Sequence, residues 1–214
     1  MTIDTIRVLL VDDHEVVRNG LRMMLSAYSD IVVVAEAADA NEALRCLREG
    51  EFDVVLCDIS LPGRSGLDLL KMIKTEWPTL AVLILTMYRE DMYAVRAVKQ
   101  GAAGYLTKDA GEEVLAAAIR KVASGGRYMT PTVAEKLAGA VDGTTDRPAH
   151  ETLSEREFQV LLLIAQGKSL NDIADTLFIS AKTITGYRRR VLDKLGLTSN
   201  AQLARYALEH GLLD

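Results

Sequence analysis

The stretch Asp53–Ser60, DVVLCDIS, sets four residues suited to a buried strand (Val54, Val55, Leu56 and Cys57) directly against an acid, Asp58. Burying an ionised carboxylate is costly unless something compensates for it. The same design occurs earlier, where IRVLLV (6–11) runs into Asp12 and Asp13. Continuous apolar runs of this length suit strands buried on both faces. Two such strands, each ending in acid, point to a sheet whose carboxyl-terminal edge carries a charged site.

The segments around these runs complete the pattern. EVVRNGLRMMLSAY (15–28), NEALRCLREG (41–50), GLDLLKMIKTEW (66–77), DMYAVRAVKQG (91–101) and GEEVLAAAIRKVASGG (111–126) have helical spacing. Interleaved with them are IVVVAEA (31–37), AVLILTM (81–87) and GYLTK (104–108). The result is five βα units, which predict a parallel sheet with right-handed crossovers and helices on both faces. There is no internal repeat beyond this alternation.

At 214 residues the chain suits two domains. The βα pattern stops near residue 126. TPTVAEKLAGAV (130–141) reads as a short helix, and DGTTDRPAH (142–150) as an exposed polar linker. The expected division is 1–126, a linker region over 127–150, and 151–214. The last segment has no strand-like run. LSEREFQVLLLIAQG (153–167) opens on a capping box, Ser154 with Glu157, and stops at Gly167. SLNDIADTLF (169–178) is a second, short helix. SAKTITGYRRRVLDKLG (180–196) is a third, closed by Gly196. SNAQLARYALEHG (199–211) is a fourth, with a second expected box of Ser199 and Gln202. A helix, a short turn and a helix within a four-helix unit follow the helix-turn-helix plan.

Charge separates the two parts. Residues 1–126 carry 14 Lys+Arg against 19 Asp+Glu, and residues 151–214 carry 8 of each. Yet residues 180–195 hold Lys182, Arg188, Arg189, Arg190 and Lys194 against Asp193 alone. An acidic front and a local basic helix imply two tasks. No apolar run is long enough to span a bilayer, and the N-terminal MTIDTIRVLLVDD sets acids beside its apolar run, unlike a secretory signal. A cytoplasmic protein without a membrane partner is expected. Cys46 and Cys57 lie in apolar segments and read as buried reduced thiols, and no Cys/His spacing suggests zinc.

In a parallel sheet ordered 2-1-3-4-5 the first and third strands are neighbours, and ligands bind beyond their carboxyl ends. Asp12, Asp13 and Asp58 would converge there. Their mutual repulsion calls for a cation, and hard oxygen donors suit Mg²⁺ or Mn²⁺. Two carboxylates with the main-chain carbonyl of Ser60 leave room for waters and a phosphoryl group. Thr86 ends one further strand and offers a hydroxyl, and Lys108 ends another and offers an ammonium. A carboxylate nucleophile, a divalent metal, a hydroxyl and a lysine make a phosphoryl-transfer site. Asp58 is then placed to become an aspartyl phosphate.

At VDDHE, LCDISLPGRSG, ILTMY and GAAGYLTKD the sequence resembles the receiver domain of two-component response regulators, across roughly residues 5–125. The resemblance implies a flavodoxin-like (βα)₅ α/β fold and Asp58 as phosphoacceptor. It implies metal ligation by the side chains of Asp13 and Asp58 and the carbonyl of Ser60, with Asp12 acting through water. It implies Thr86 and Tyr105 as a switch pair, in which the hydroxyl moves to the phosphoryl group and the ring turns inward. A sensor histidine kinase would be the donor, and the protein would be no enzyme beyond its own phosphorylation and dephosphorylation. Asp109 after Lys108, where many receivers have proline, resembles the subgroup with a NarL/FixJ-type output domain. His14 is read as the start of the first helix at the cleft rim, and His150 and His210 are given no chemical role.

On a helical wheel Ile184, Val191 and Leu195 form one face of KTITGYRRRVLDKL, with Tyr187 and Leu192 at its edges. Lys182, Thr185, Gly186, Arg189 and Arg190 lie mostly opposite. A face of basic and small residues can enter a DNA major groove. Gly186 costs about 1 kcal/mol of helix propensity relative to Ala, which close approach to DNA would offset. Arg188 is expected to run its stem along the core and reach a phosphate. Residues 151–212 resemble the LuxR/NarL-type helix-turn-helix, whose base-facing positions map to Thr185, Gly186 and Arg189. Lys182, Thr183, Arg188 and Arg190 complete the expected DNA surface. Where the family has Lys-x-His, this chain has Thr185-Gly186-Tyr187, so an inherited base preference does not carry over.

The reading is a phosphorylation-controlled transcription regulator that binds double-stranded DNA and dimerises when phosphorylated. Two other readings stay open on the sequence. A metal-dependent aspartyl-nucleophile phosphohydrolase would need a second acid at Ser60. A protein-binding adaptor would be a helix-turn-helix that has lost its DNA.

Overall fold

The computed structural model describes residues 5–87, 90–131, 133–135, 137 and 148–213, with the backbone alone for residues 90–92. The chain forms two compact units, Met1–Asp142 and Gly143–Asp214.

The first unit alternates β1 (Ile6–Val11), α1 (Glu15–Leu25), β2 (Ile31–Ala37), α2 (Ala40–Glu49), β3 (Val54–Cys57), α3 (Gly66–Glu76), β4 (Ala81–Thr86), α4 (Glu90–Lys99), β5 (Gly104–Thr107) and α5 (Glu112–Ala123). All strand pairs are parallel, in the order β2-β1-β3-β4-β5. The central strands β3 and β4 are buried at every position, as their unbroken apolar sequence requires. On one face Val8, Leu10, Leu56 and Leu83 join Leu115, Ile119 and Val122 of α5 in a core. The alternate residues Leu9, Val55 and Ile84 are as deeply buried. Both cysteines are free thiols.

The two sheet edges are handled differently. At β2 the register shifts between Val8 and Leu9, which pair with Val33 and Ala35 and leave Val34 as a bulge. At β5 the chain returns after α5. The Tyr128 N–H donates to the Ala103 carbonyl at 2.9 Å, and the Tyr105 N–H donates to the Tyr128 carbonyl at 3.3 Å. Gly104 permits this close passage, because a Cβ there would lie 2.7 Å from the Tyr128 carbonyl oxygen. Residues 131, 133–135 and 137 are helical, within the expected helix at 130–141. The rest of that helix, and the expected linker over 142–147, lie outside the described residues.

The second unit opens on a 3₁₀ turn (Ala149–Thr152), followed by α6 (Glu155–Ala165), α7 (Leu170–Thr176), α8 (Ala181–Leu195) and α9 (Asn200–Glu209). Each helix begins at a serine: Ser154, Ser169, Ser180 and Ser199 accept hydrogen bonds from the N–H three residues on. The Ser154–Glu157 box forms as expected. The Ser199–Gln202 box forms only halfway. The Gln202 side chain accepts instead from the Thr198 N–H at 2.7 Å and the Thr198 hydroxyl at 3.0 Å, so two nearby donors outcompete the cap's own N–H. Gly167 and Gly196 end their helices with positive φ, as expected. Phe158, Leu161, Ile173, Ile184, Val191 and Leu203 form the core. Phe178, in the turn between α7 and α8, has a φ of 53°, an uncommon conformation for a bulky residue.

Glu157 ties this unit together. Its carboxylate is 4% exposed and accepts from Lys194 Nζ at 2.6 Å and Arg190 Nε at 3.2 Å. Burial raises its pKa, but hydrogen bonds from Lys194 and Ser154 outweigh burial and hold the carboxyl below the ordinary glutamate range. A lowered carboxyl pKa supplies stability that is complete above the unfolded value and is lost as pH falls through the folded one. Glu157→Gln should therefore destabilise the second unit by about 2 kcal/mol at neutral pH. The deficit should narrow as the solution is acidified through the carboxylate range. Urea melts of both proteins across pH check this, and a deficit that does not change with pH would contradict it.

Candidate functional site

The carboxyl ends of β1, β3, β4 and β5 share one edge of the sheet. Val11 pairs with Cys57, so the next residues, Asp12 and Asp58, stand side by side. The Asp58 N–H donates to the Val11 carbonyl at 2.9 Å, and the Asp12 N–H to the Ala37 carbonyl at 3.1 Å. Thr86 pairs with Thr107, and the Lys108 N–H donates to the Thr86 carbonyl at 2.8 Å. Strand register alone thus gathers Asp12, Asp58, Thr86 and Lys108.

Asp12 and Asp58 are 3% and 4% exposed. The Lys108 ammonium lies 2.5 Å from Asp12 Oδ2 and 2.8 Å from Asp58 Oδ2. Burial opposes its charge, but Asp58 and Asp12 outweigh burial and hold its pKa above the usual lysine value. The other oxygen of Asp12 accepts from the His14 N–H at 2.9 Å. Asp58 Oδ1 is buried with no hydrogen-bond partner. Asp13 Oδ1 is also buried and accepts no hydrogen bond, and the His14 ring nitrogen lies 2.7 Å from it. Burial raises the pKa of Asp13, His14 lowers it, and Asp12 and Asp58 raise it further, so its carboxyl sits above the ordinary aspartate range.

Two buried carboxylate oxygens that accept no hydrogen bond, beside a third carboxylate, fit a cation. Ligand atoms of Asp12, Asp13 and His14 come within 4.8 Å of one another. Asp58 stands beside Asp12, and Ser60, two residues on, is partly buried. Thr86 is fully buried, and the Tyr105 ring is 1% exposed, already inside. Burial, together with Asp58 and Asp12, pushes the Cys57 thiol pKa far up, so this cysteine is an inert neighbour.

Two contributions escaped the sequence. Gly66 begins α3 against the Asp58 carbonyl, and a Cβ there would collide with that carbonyl. A lone glycine before a helix carries no such signal. His14 is the N-cap residue of α1, as expected, but it works through its backbone N–H on Asp12 rather than through a cap.

On α8 Ile184 and Val191 are fully buried as expected, but Leu192, expected at the edge of the core face, is buried and Leu195, expected on it, is only half-buried. Lys182, Thr183, Thr185 and Arg189 are exposed, and a Cβ on Gly186 would meet nothing within 4 Å, so the fold does not require this glycine. The arginines diverge. Arg189 is 85% exposed and only 3.8 Å from Asp193. Arg188 Nε donates to the Asn200 side chain at 2.6 Å rather than projecting from the domain. Arg190 pairs with Glu157 and lies over the Tyr187 ring.

Residues 8–120 match the response regulator receiver domain, and residues 151–207 match the bacterial regulatory proteins of the luxR family. The chain is 40% identical over 211 residues to the response regulator GacA of Pseudomonas aeruginosa, covering 98% of both chains. It is 38% identical over 210 residues to the response regulator UvrY of Escherichia coli, covering 98% of this chain and 96% of UvrY. RcsB of Salmonella enterica serovar Typhimurium, bound to the rprA promoter with the phosphomimetic BeF₃⁻, is similar in structure. Its TM-score is 0.63 at 27% identity, over 94% of this chain and 98% of that one. Another structure holds two RcsB dimers on two parallel DNAs (TM-score 0.59, 27% identity, covering 95% of this chain and 98% of that one). Among the described residues no helix is long and apolar enough to cross a membrane.

A carboxyl whose pKa is raised on folding is a penalty at neutral pH, and the penalty fades as pH falls through the folded value and is gone below the unfolded one. Asp13→Asn should stabilise the metal-free protein near neutral pH and by less in acid. It should also remove most of the stabilisation that Mg²⁺ gives the wild type, which reaches about 2.7 kcal/mol at a hundred times the dissociation constant. Thermal melts with chelator and with Mg²⁺ check both, and an unchanged Mg²⁺ response in Asp13→Asn would contradict the cleft as a cation site.

Proposed function

We propose that this chain, which belongs to the response-regulator family and ends in a LuxR-type DNA-binding domain, accepts a phosphoryl group on Asp58 from a sensor histidine kinase and so controls its own binding to DNA. As a member of that family it is a DNA-binding transcriptional response regulator. The observation that carries the phosphoacceptor assignment is the state of the Asp58 carboxylate. One oxygen is held by Lys108 at 2.8 Å, and the other is buried with no partner.

In the transfer, a carboxylate oxygen of Asp58 attacks phosphorus. The O–P bond forms, the P–N bond to the donor histidine breaks, and its electron pair stays on the imidazole nitrogen. Lys108 then shifts from the carboxylate toward the phosphoryl oxygens, and the Thr86 hydroxyl donates to one of them. Asp12, Asp13, Asp58 and the Ser60 carbonyl would hold Mg²⁺ or Mn²⁺, which when bound neutralises charge on the phosphoryl group. Thr86 and Tyr105 form the switch. Because the Lys108 N–H is bonded to the Thr86 carbonyl, a change at either residue moves the paired ends of β4 and β5.

Lys182, Thr183, Thr185, Gly186 and Arg189 form the groove-facing surface of α8. Arg188 and Arg190 contribute by holding α8 in place, and they reach phosphates only by exchanging their present partners. RcsB, seen as dimers on DNA, supports a homodimer as the phosphorylated form. Paired recognition helices would read half-sites about one DNA turn apart. Binding to DNA suits a cytoplasmic protein.

Sedimentation and DNA titration at fixed salt, with and without phosphorylation, test the coupling. Phosphorylation should raise both dimer fraction and affinity in the wild type, and Thr86→Ala should respond less. Arg189→Ala should lose about 1–3 kcal/mol of discrimination between specific and scrambled sites, while Arg205→Ala, which removes an exposed pairing with Glu209 on α9, should not. A phosphorylated wild type that neither dimerises nor binds more tightly would contradict the coupling. A fall in non-specific affinity alone would make Arg189 a phosphate contact.

A further inference from the structure

We propose that Arg18 is the positioning residue of the acidic cleft: its side chain holds the peptide group between Asp12 and Asp13 and so fixes the direction from which Asp12 and Asp13 meet a divalent cation. This rests on the reading of the cleft as the site of metal-assisted phosphorylation, and it deepens that reading.

The need for such a residue arises where β1 ends. The Val11 carbonyl is the last on that strand to be bonded by β3, through the Asp58 N–H, and the Asp12 N–H is taken by Ala37. Beyond this point the ladder gives the Asp12 carbonyl no strand partner, and a carbonyl in a buried turn needs one. Arg18, one helical turn into α1, supplies it. Its Nη1 donates to the Asp12 carbonyl at 2.7 Å, a charge-assisted bond at the short end of the range. The Arg18 backbone N–H donates to the His14 carbonyl at 3.1 Å. The backbone bond is the ordinary first-turn bond of the helix, so what the Arg18 side chain adds is its hold on the peptide group that leads into Asp13. Asp13 Oδ1 accepts no hydrogen bond and has only the ring nitrogen of the exposed His14 beside it, at 2.7 Å, so the aim of its side chain leans on its backbone.

The guanidinium is itself fixed. Arg18 Nε lies 3.1 Å from Glu36 Oε2 on β2, and the Arg18 side chain is 15% exposed. Glu36 offsets the charge of Arg18, so the effect on the cleft is chiefly one of geometry. A planar fork can serve Glu36 with one nitrogen and Asp12 with another; a lysine ammonium on a flexible stem does not reproduce that arrangement. Groups that orient metal ligands from behind typically change metal affinity by about 10–100-fold when removed.

The test is Mn²⁺ binding to the full-length protein, followed by electron paramagnetic resonance without any phosphodonor. Arg18→Ala and Arg18→Lys should both raise the Mn²⁺ dissociation constant by about 10–100-fold. Labelling by a small phosphodonor should be slow at low Mg²⁺ and recover toward the wild-type rate at saturating Mg²⁺. Arg120→Ala, which removes the 2.6 Å ion pair to Asp30, serves as a variant that loses a comparable contact with no link to the cleft. It should lower the melting temperature and leave Mn²⁺ affinity unchanged. Wild-type affinity in Arg18→Ala would overturn the proposal whatever happens to its stability. Should Arg18→Ala fail to fold, wild-type affinity in Arg18→Lys would overturn it equally. A wild type that binds no Mn²⁺, indistinguishable from Asp13→Asn, would instead remove the cation site itself, and the role of Arg18 with it.

Discussion

One ammonium group allows the acidic edge of the sheet to exist. Asp12 and Asp58 are buried side by side because Val11 and Cys57 are paired, and two carboxylates so placed repel. Lys108 reaches both, at 2.5 and 2.8 Å. Removing one partner of such a buried pair leaves an uncompensated charge, which costs several kcal/mol. The same arrangement makes the cleft responsive. A phosphoryl group on Asp58 adds charge and acceptor oxygens where Lys108 now binds a bare carboxylate, so the ammonium must change partner. Because the Lys108 N–H is bonded to the Thr86 carbonyl, such a change would reach the ends of β4 and β5.

From β5 there is a short physical route out of the cleft. Tyr105 has its ring inside the first unit, and its N–H donates to Tyr128, where the chain leaves α5 toward the second unit. Gly104 exists at the point where this returning chain passes closest to the sheet. A switch that moves Tyr105 therefore acts on the strand edge to which the exit segment is pinned. Such a two-state element is what coupling between distant sites requires. Moving a population from 1:99 to 99:1 takes about 5.5 kcal/mol of differential stabilisation, a scale within reach of a phosphoryl group with lysine and hydroxyl partners.

Much of this was legible in the chain itself. The unbroken apolar strands, each followed by a helical period, fixed the sheet as parallel, and acids at strand ends then fell together by register. Serine before each C-terminal helix and glycine after two of them marked the helix-turn-helix. What was not legible depended on side chains choosing between competing partners. Gln202 reads as half of a capping box, yet it serves Thr198. Arg188 and Arg190 read as DNA contacts because adjacent arginines on an exposed helix look alike in sequence, yet Asn200 and the buried Glu157 engage them. Arg18 is one of several charges on an amphipathic helix, and nothing in its sequence context singles it out. Only the turn between β1 and α1 brings the Asp12 carbonyl within its reach.

The central claim is that Asp58, held by Lys108 with one oxygen unpartnered, is the phosphoacceptor. Intact-mass measurement of the wild type and Asp58→Asn, each incubated with Mg²⁺ and acetyl phosphate, tests it most directly. The account predicts a single added phosphoryl group on the wild type, labile to acid and base as an acyl phosphate is, and none on Asp58→Asn. Equal labelling of the two proteins, or a label on the wild type that survives alkali, would contradict it.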